Sequence, residues 1–208
     1  MDEAAMTLDD FRARWTGHTP KLQDINREYA VLVPLAQRPE GLCLLYEVRA
    51  DTLGRQPGEV CFPGGRMEAG EDPAACALRE TWEELSIPQP AVEVVAQLDF
   101  LTHQGGFAMY PVLGILSPEG VEQLRPSPAE VKETFWVPVD WLRAHPPAVY
   151  TYELTPDVRE DFPYDRIGFS QGYRWRGGHV DVPIYDWPGH PIWGLTGRIT
   201  RHLMEQMP

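Results

Sequence analysis

Short apolar runs and one long amphipathic segment divide the chain into elements. Tyr29–Leu35 and Gly41–Val48 are rich in valine, leucine and tyrosine, so each predicts a strand. Val92–Thr102 and Phe107–Leu116 predict two long strands joined by His103-Gln104-Gly105-Gly106, and Thr134–Val137 a further one. Helical spacing appears at residues 7–16, where Leu8, Phe11 and Trp15 share a face behind Thr7 as cap. The clearest helix opens at Asp72, a good N-cap, followed by Pro73 in the first turn and a run of strong helix formers. It should stop near Leu85, because Pro88 and Pro90 forbid its continuation. A short helix is expected at Val139–Ala144. Between Asp51 and Gly65 the chain reads as a glycine- and proline-bearing loop around the apolar stretch Val60–Phe62.

After about Pro146 the pattern changes to one rich in tyrosine, tryptophan, glycine and proline. A hairpin is expected around Gly177-Gly178 and a helix from Ile192 to about Glu205. This tail has no stretch that would make a core of its own. Residues 1–208 are therefore expected to form one domain, with a core at about 28–146 and with helix 7–16 and extension 147–208 packed on it. The tail aromatics suit the wall of a ligand pocket. Together with Trp15 they could equally complete the core or form the face of a homodimer. From periodicity alone the fold class is a mixed α and β domain.

Composition narrows the setting. Of 208 residues, 43% are hydrophobic, enough for a sizeable core. No apolar run approaches the length of about 18 residues needed to span a bilayer, and the acidic start, Met1 to Ala5, with no apolar core after it, leads us to expect no secretory leader. Cys43, Cys61 and Cys76 are odd in number and lack CxxC spacing, so they read as free thiols, and the expected location is cytoplasmic. The formal net charge of −13 argues against general binding of nucleic acid, which needs phosphate neutralisation. A small phosphorylated ligand is compatible if metal ions supply positive charge.

Candidate chemistry sits at the end of the clearest helix. Glu80, Glu83 and Glu84 stand at i, i+3 and i+4, on one face and in the last turns, where the helix dipole already disfavours negative charge. Each like-charge neighbour costs about 0.2–0.5 kcal/mol in an exposed helix. Either the face is simply solvated, or a cation neutralises it. Hard divalent ions with oxygen ligands, Mg²⁺ or Mn²⁺, suit this donor set; zinc would want clustered histidine or cysteine, and the histidines here are scattered.

The surroundings favour the cation. Gly65, Glu71, Arg79, Glu80, Glu83, Glu84 and Ile87 follow the pattern G-x5-E-x7-R-E-U-x-E-E-x-G-U, U being aliphatic. Its polar and glycine positions match by chance about once in 10⁷ tries. The segment resembles the Nudix box of the Nudix hydrolase superfamily, with two departures. Thr81 stands for an aliphatic residue on the core side of the helix, and Ser86 for the closing glycine, which predicts a different exit from the helix. The resemblance implies an α/β/α sandwich with a mixed sheet, extended here by the aromatic-rich C-terminal segment. It also implies Mg²⁺ or Mn²⁺ held by Glu80, Glu83 and Glu84 with help from the Gly64 carbonyl, and an Arg79–Glu71 pair locking loop to helix. The base that activates water would be Glu80, or Glu130 or Glu133 from the segment Ser127–Glu133.

A longer resemblance bears on the substrate. Arg49-Ala50, Gly58 and Phe62-Pro63-Gly64-Gly65 match the spacing of the signature of coenzyme A pyrophosphatases, while Tyr46 and Glu47 depart from the leucine and threonine often found there. The segment Pro191–Ile199 is similar to the C-terminal helix of those enzymes. The implied reaction splits coenzyme A, or an acyl or oxidised form, into 4′-phosphopantetheine or its derivative and adenosine 3′,5′-bisphosphate. Arg49, Arg55 and Arg66 are the candidates for phosphate recognition. The competing expectations are the same chemistry on ADP-ribose, NADH or dinucleoside polyphosphates, and a Nudix-fold module that senses a nucleotide without cutting it. The expected partner is a small-molecule nucleotide, with no nucleic acid and no membrane.

Overall fold

The structure is a computed structural model that describes residues 6–207. It opens with α1 (Leu8–Trp15), closed by a reciprocal box in which the Thr7 hydroxyl accepts from Asp10 N and the Asp10 side chain accepts from Thr7 N. The cap signal holds, but no residue of α1 is buried, and Leu8, Phe11 and Trp15 all face outward.

The body is a mixed sheet built around β1 (Arg27–Arg38). Strand β2 (Gly41–Arg49) folds back antiparallel on the C-terminal half of β1, with Leu35 opposite Leu44. Beyond β3 (Val60–Cys61), which lies on β2, the short β4 (Gly64–Arg66) pairs with the N-terminal half of β1. One side of β1 is thus shared by two partners, and the Phe62-Pro63 link runs between them. Helix α2 (Pro73–Leu85) follows and covers one face.

The expected strand 92–102 is instead two. β5 (Val92–Gln97) and β6 (Leu101–His103) both pair antiparallel with β7 (Phe107–Leu116), which runs parallel to β1. The register slips by one residue between Val94 and Ala96, and pairing resumes only at Leu101 opposite Met109. The break lies against Pro111, which accepts from Leu98 N at 2.9 Å but has no N–H to return. Helix α3 (Pro118–Gln123), too short to show periodicity, went unread; its signal is Ser117, whose hydroxyl accepts from Gly120 N, with Pro118 in the first turn. Strand β8 (Val131–Pro138) outlasts the expected 134–137 and pairs along β2, and α4 (Val139–Ala144) falls where expected.

In the tail, β9 (Ala148–Leu154) and β10 (Gly178–Ile184) form a ribbon, but Gly177-Gly178 is not its turn. Gly178 already pairs with Leu154, and the strands are joined by residues 155–177. A Cβ on Gly177 would lie 2.7 Å from the Leu154 carbonyl, so this glycine serves close approach. The aromatics of that connection contact one another, Trp175 with Phe162 and Tyr173 among them, rather than the cleft described below. Helix α5 (Gly194–Gln206) closes the chain.

The pleat sorts the core into two layers. Ala30, Leu32 and Leu45 pack with Cys76, Ala77 and Leu85 of α2; Val31, Val33, Leu44 and Tyr46 pack with Leu142 of α4 and Ile199 and Leu203 of α5. Both faces are covered, which is why β1 and β2 are buried almost without interruption. The arrangement is the expected α/β/α sandwich.

Candidate active site

Helix α2 positions the acids. The Asp72 side chain accepts from Ala75 N at 2.9 Å, and the helix ends at Ser86 with φ 57° and ψ 22°. The expected different exit does not occur: serine adopts the left-handed conformation that a glycine takes there, at a cost of about 1–2 kcal/mol. The end is held from outside, since Ser127 N donates to Glu84 O at 2.7 Å and Arg125 N to Leu85 O at 2.8 Å. Thr81 is buried, as its place on the core side requires, and its hydroxyl donates to Ala77 O at 2.6 Å.

The two glycines ahead of the helix are sterically demanded. A Cβ on Gly64 (φ 156°) would overlap the Ala30 carbonyl, and one on Gly65 would overlap the Glu80 carboxylate. Gly64 N donates to Glu84 Oε2 at 2.8 Å. Arg79 binds loop to helix: Nε donates to Glu71 Oε1 at 3.0 Å, Nη2 to Glu71 Oε2 at 3.1 Å and to Arg66 O at 3.3 Å, and Nη1 to Glu80 Oε1 at 2.7 Å. These bonds, with one from Glu68 N, hold the Glu71 carboxyl down at about 2.

Glu80 and Glu84 line a cleft of about 680 Å³ together with Gly64, Gly65, Arg49, Arg55 and Glu130. Glu83 does not; it is half-exposed on the outer side, 3.4 Å from Arg79 Nη1. Arg66 is exposed outside the cleft, and Arg27 is the basic residue in the lining that sequence reasoning missed. Of the two acids in the β8 approach, Glu130 enters the cleft and its carboxylate has no partner among the described residues, whereas Glu133 turns to His190 Nε2 at 3.3 Å. Trp193, Leu195 and Thr196 of the tail complete the far wall. A second cavity, of about 530 Å³, lies across α5; it holds none of these acids, and Arg201 pairs there with Glu205 and His202 with Asp99.

The acids here are short of positive charge. Glu84 is 5% exposed, and burial, followed by the charges of Glu47, Glu80 and Glu130, pushes its carboxyl up to about 9 against the pull of Gly64 N–H. Burial also raises Glu80, countered by Arg79. Beneath them Glu47, 1% exposed, is pushed up to about 7 by burial; its Oε1 accepts a 3.2 Å hydrogen bond from Cys61 Sγ. Sequence reading met Glu47 only as a departure from a signature, although a charged residue within an otherwise apolar strand was a signal of its own.

The fold is thus an α/β/α sandwich whose cleft holds Glu80 and Glu84 from the helix that follows a Gly-Gly strand. The NUDIX domain model matches residues 26–158, more than half of the chain. An uncharacterized Nudix hydrolase NudL of Photorhabdus laumondii is 35% identical over 207 residues, covering 97% of this chain and 98% of that protein. Peroxisomal coenzyme A diphosphatase NUDT7 of Mus musculus is 40% identical over 136 residues, which span 65% of this chain and 56% of the mouse protein's length. Among solved structures, the Ap4A hydrolase of C. elegans in a binary complex aligns with a TM-score of 0.46 at 20% identity, covering 54% of this chain and 80% of that one. The chain belongs to the Nudix family and is one of its hydrolases.

Proposed function

We propose that this protein hydrolyses the pyrophosphate bond of coenzyme A, or of an acyl or oxidised coenzyme A, with Mg²⁺ or Mn²⁺. The products would be 4′-phosphopantetheine, or its derivative, and adenosine 3′,5′-bisphosphate. One observation carries the reading: Glu84, buried without a cationic partner among the described residues, and half-buried Glu80, paired only with Arg79, share one cleft with Arg49 and Arg55. The similarity to a coenzyme A diphosphatase, and the Arg49–Gly65 signature, favour the substrate.

The donor set fits a hard divalent ion, being oxygen-only, partly desolvated and of one charge sign. Among the described residues no three acidic, histidine or cysteine side chains close into a cage, because Arg79 holds Glu80 and Glu83 and Gly64 N–H holds Glu84. Glu84 and Glu80, with Glu83 released from Arg79 and the Gly64 carbonyl, would hold the metal. When bound, it would neutralise phosphate charge and lower the pKa of the attacking water. Arg49 and Arg55 would orient the two phosphates, for which planar guanidinium groups are suited. Glu130, unpartnered in the cleft, would take the proton from water as the phosphorus–oxygen anhydride bond breaks. Arg79 and Glu71 would keep the glycine strand in register with the helix.

The test is turnover on a panel of coenzyme A, ADP-ribose, NADH and dinucleoside polyphosphates with each metal. Coenzyme A should have the highest kcat/KM. A preference for ADP-ribose would overturn the substrate assignment, and no turnover of any of them would overturn the reaction.

A further inference from the structure

Two buried polar atoms beside the cleft lack any partner among the described residues: Glu47 Oε2 and Arg49 Nε. The third such atom, Arg38 Nε, belongs to a guanidinium laid 4.9 Å over the Trp136 ring, outside the cleft. Glu47 and Arg49 share one face of β2. Leu45 packs in the layer under α2 while Tyr46 and Val48 pack in the layer under α5, so the alternation sends both toward α2. That is the side of Glu130, whose charge acts on Glu47, and of Glu84, on which the Glu47 charge acts.

A buried carboxylate oxygen without a donor is costly, and a thiol is a weak donor for its neighbour. Cys61 Sγ supplies Oε1 alone. The cation that acts on Glu47 is Arg49, two residues on along the same face. Arg49 lines the cleft and makes no hydrogen bond or ion pair among the described residues, so its guanidinium is not committed elsewhere. The two orphaned atoms are a donor and an acceptor on groups of opposite charge.

We propose that Glu47 is a positioning residue for substrate: its Oε2 takes the Arg49 Nε–H when a phosphate enters the cleft, fixing the guanidinium plane so that the outer nitrogens face that phosphate. The rigid fork of arginine makes this effective, since anchoring one nitrogen sets the direction of the other two. No covalent bond changes. The inference rests on the cleft being a pyrophosphate site. It also gives a role to a residue that departs from the threonine of the coenzyme A pyrophosphatase signature.

The experiment has kinetic and spectroscopic arms. Glu47→Leu removes both acceptors from a buried place; it should raise KM for coenzyme A about tenfold, with kcat within about threefold of wild type. Glu47→Gln, whose amide oxygen still accepts an N–H, should recover most of that loss. Manganese should still bind both variants, its affinity shifting only as far as loss of the Glu47 charge alters the ionisation of Glu84. In wild-type protein, Mg²⁺ with inorganic pyrophosphate should shift the Arg49 Nε–H proton resonance downfield and slow its exchange with water, an arm that needs no variant to fold. The inference is overturned by an unchanged KM in Glu47→Leu, by loss of kcat or manganese affinity at constant KM, or by an Arg49 resonance insensitive to pyrophosphate. If the wild type leaves coenzyme A intact while the resonance responds, the substrate assignment falls and the role of Glu47 stands.

Discussion

The backbone N–H of Gly64 lies 2.8 Å from Glu84 Oε2, joining the strand that enters the site to the helix that carries its acids. The contact is possible because neither Gly64 nor Gly65 has a Cβ, and beside it the Glu80 carboxylate occupies the space a side chain at 65 would fill. The site is therefore assembled by close approach of backbone to carboxylate, and its performance should depend on that spacing.

Gly65→Ala tests this directly. The added methyl must displace Glu80, and a misplacement on the order of 1 Å can cost about 10²-fold in rate. Steady-state kinetics should show kcat falling by about that factor, with circular dichroism unchanged. Wild-type turnover in this variant would remove Glu80 from the mechanism.

The burial of Glu84 gives a pH dependence of definite sign. Its folded pKa of about 9 lies above its ordinary 4.5, so between those values the folded metal-free protein retains a proton that the unfolded chain has released. Stability is fully present at the acidic end of this window and declines as pH rises toward 9. Glu80 is raised too and acts in the same direction. Calorimetric melting without metal should show Tm falling across the window. The gain in Tm on adding Mn²⁺ should grow with pH, because the ion stabilises the ionised carboxylates. A manganese effect that is flat across this range would contradict the placement of the ion at Glu84.

Glu130 and Glu133 separate by geometry, and kinetics should follow. Glu130→Gln, in the cleft, should lower kcat about 10²–10³-fold as expected for loss of a general base. Glu133→Gln should leave kcat within about twofold, since that side chain faces His190. Equal losses in both variants would point to a general electrostatic effect instead.

Ser86 carries a conformational cost without touching the cleft. Ser86→Gly should raise stability by about 1 kcal/mol in denaturant melts, by relieving the left-handed conformation at φ 57°. Activity should not change. A destabilised variant would mean that the serine side chain contributes more than its backbone costs.

What could be read from the sequence was what depends on neighbours along the chain. The cap at Asp72, the stop before Pro88, the i, i+3, i+4 acids and the Arg79–Glu71 pair all belong to one contiguous segment whose spacing is set by helical geometry. The apolar runs Tyr29–Leu35 and Gly41–Val48 likewise announced β1 and β2, and the fold buries them almost without interruption. Tertiary packing decided the rest. It chose Glu130 over Glu133, left Glu83 and Arg66 outside the cleft, brought Arg27 in, and set Glu47 beneath Glu84. It also held Ser86 in a glycine's conformation, through bonds from Ser127 and Arg125 to the end of the helix. The reason is range: a helix face is fixed by bonds between residues a few places apart. A cleft wall is fixed by which distant strands and loops meet, and how deeply, and one-dimensional spacing does not encode the burial that results.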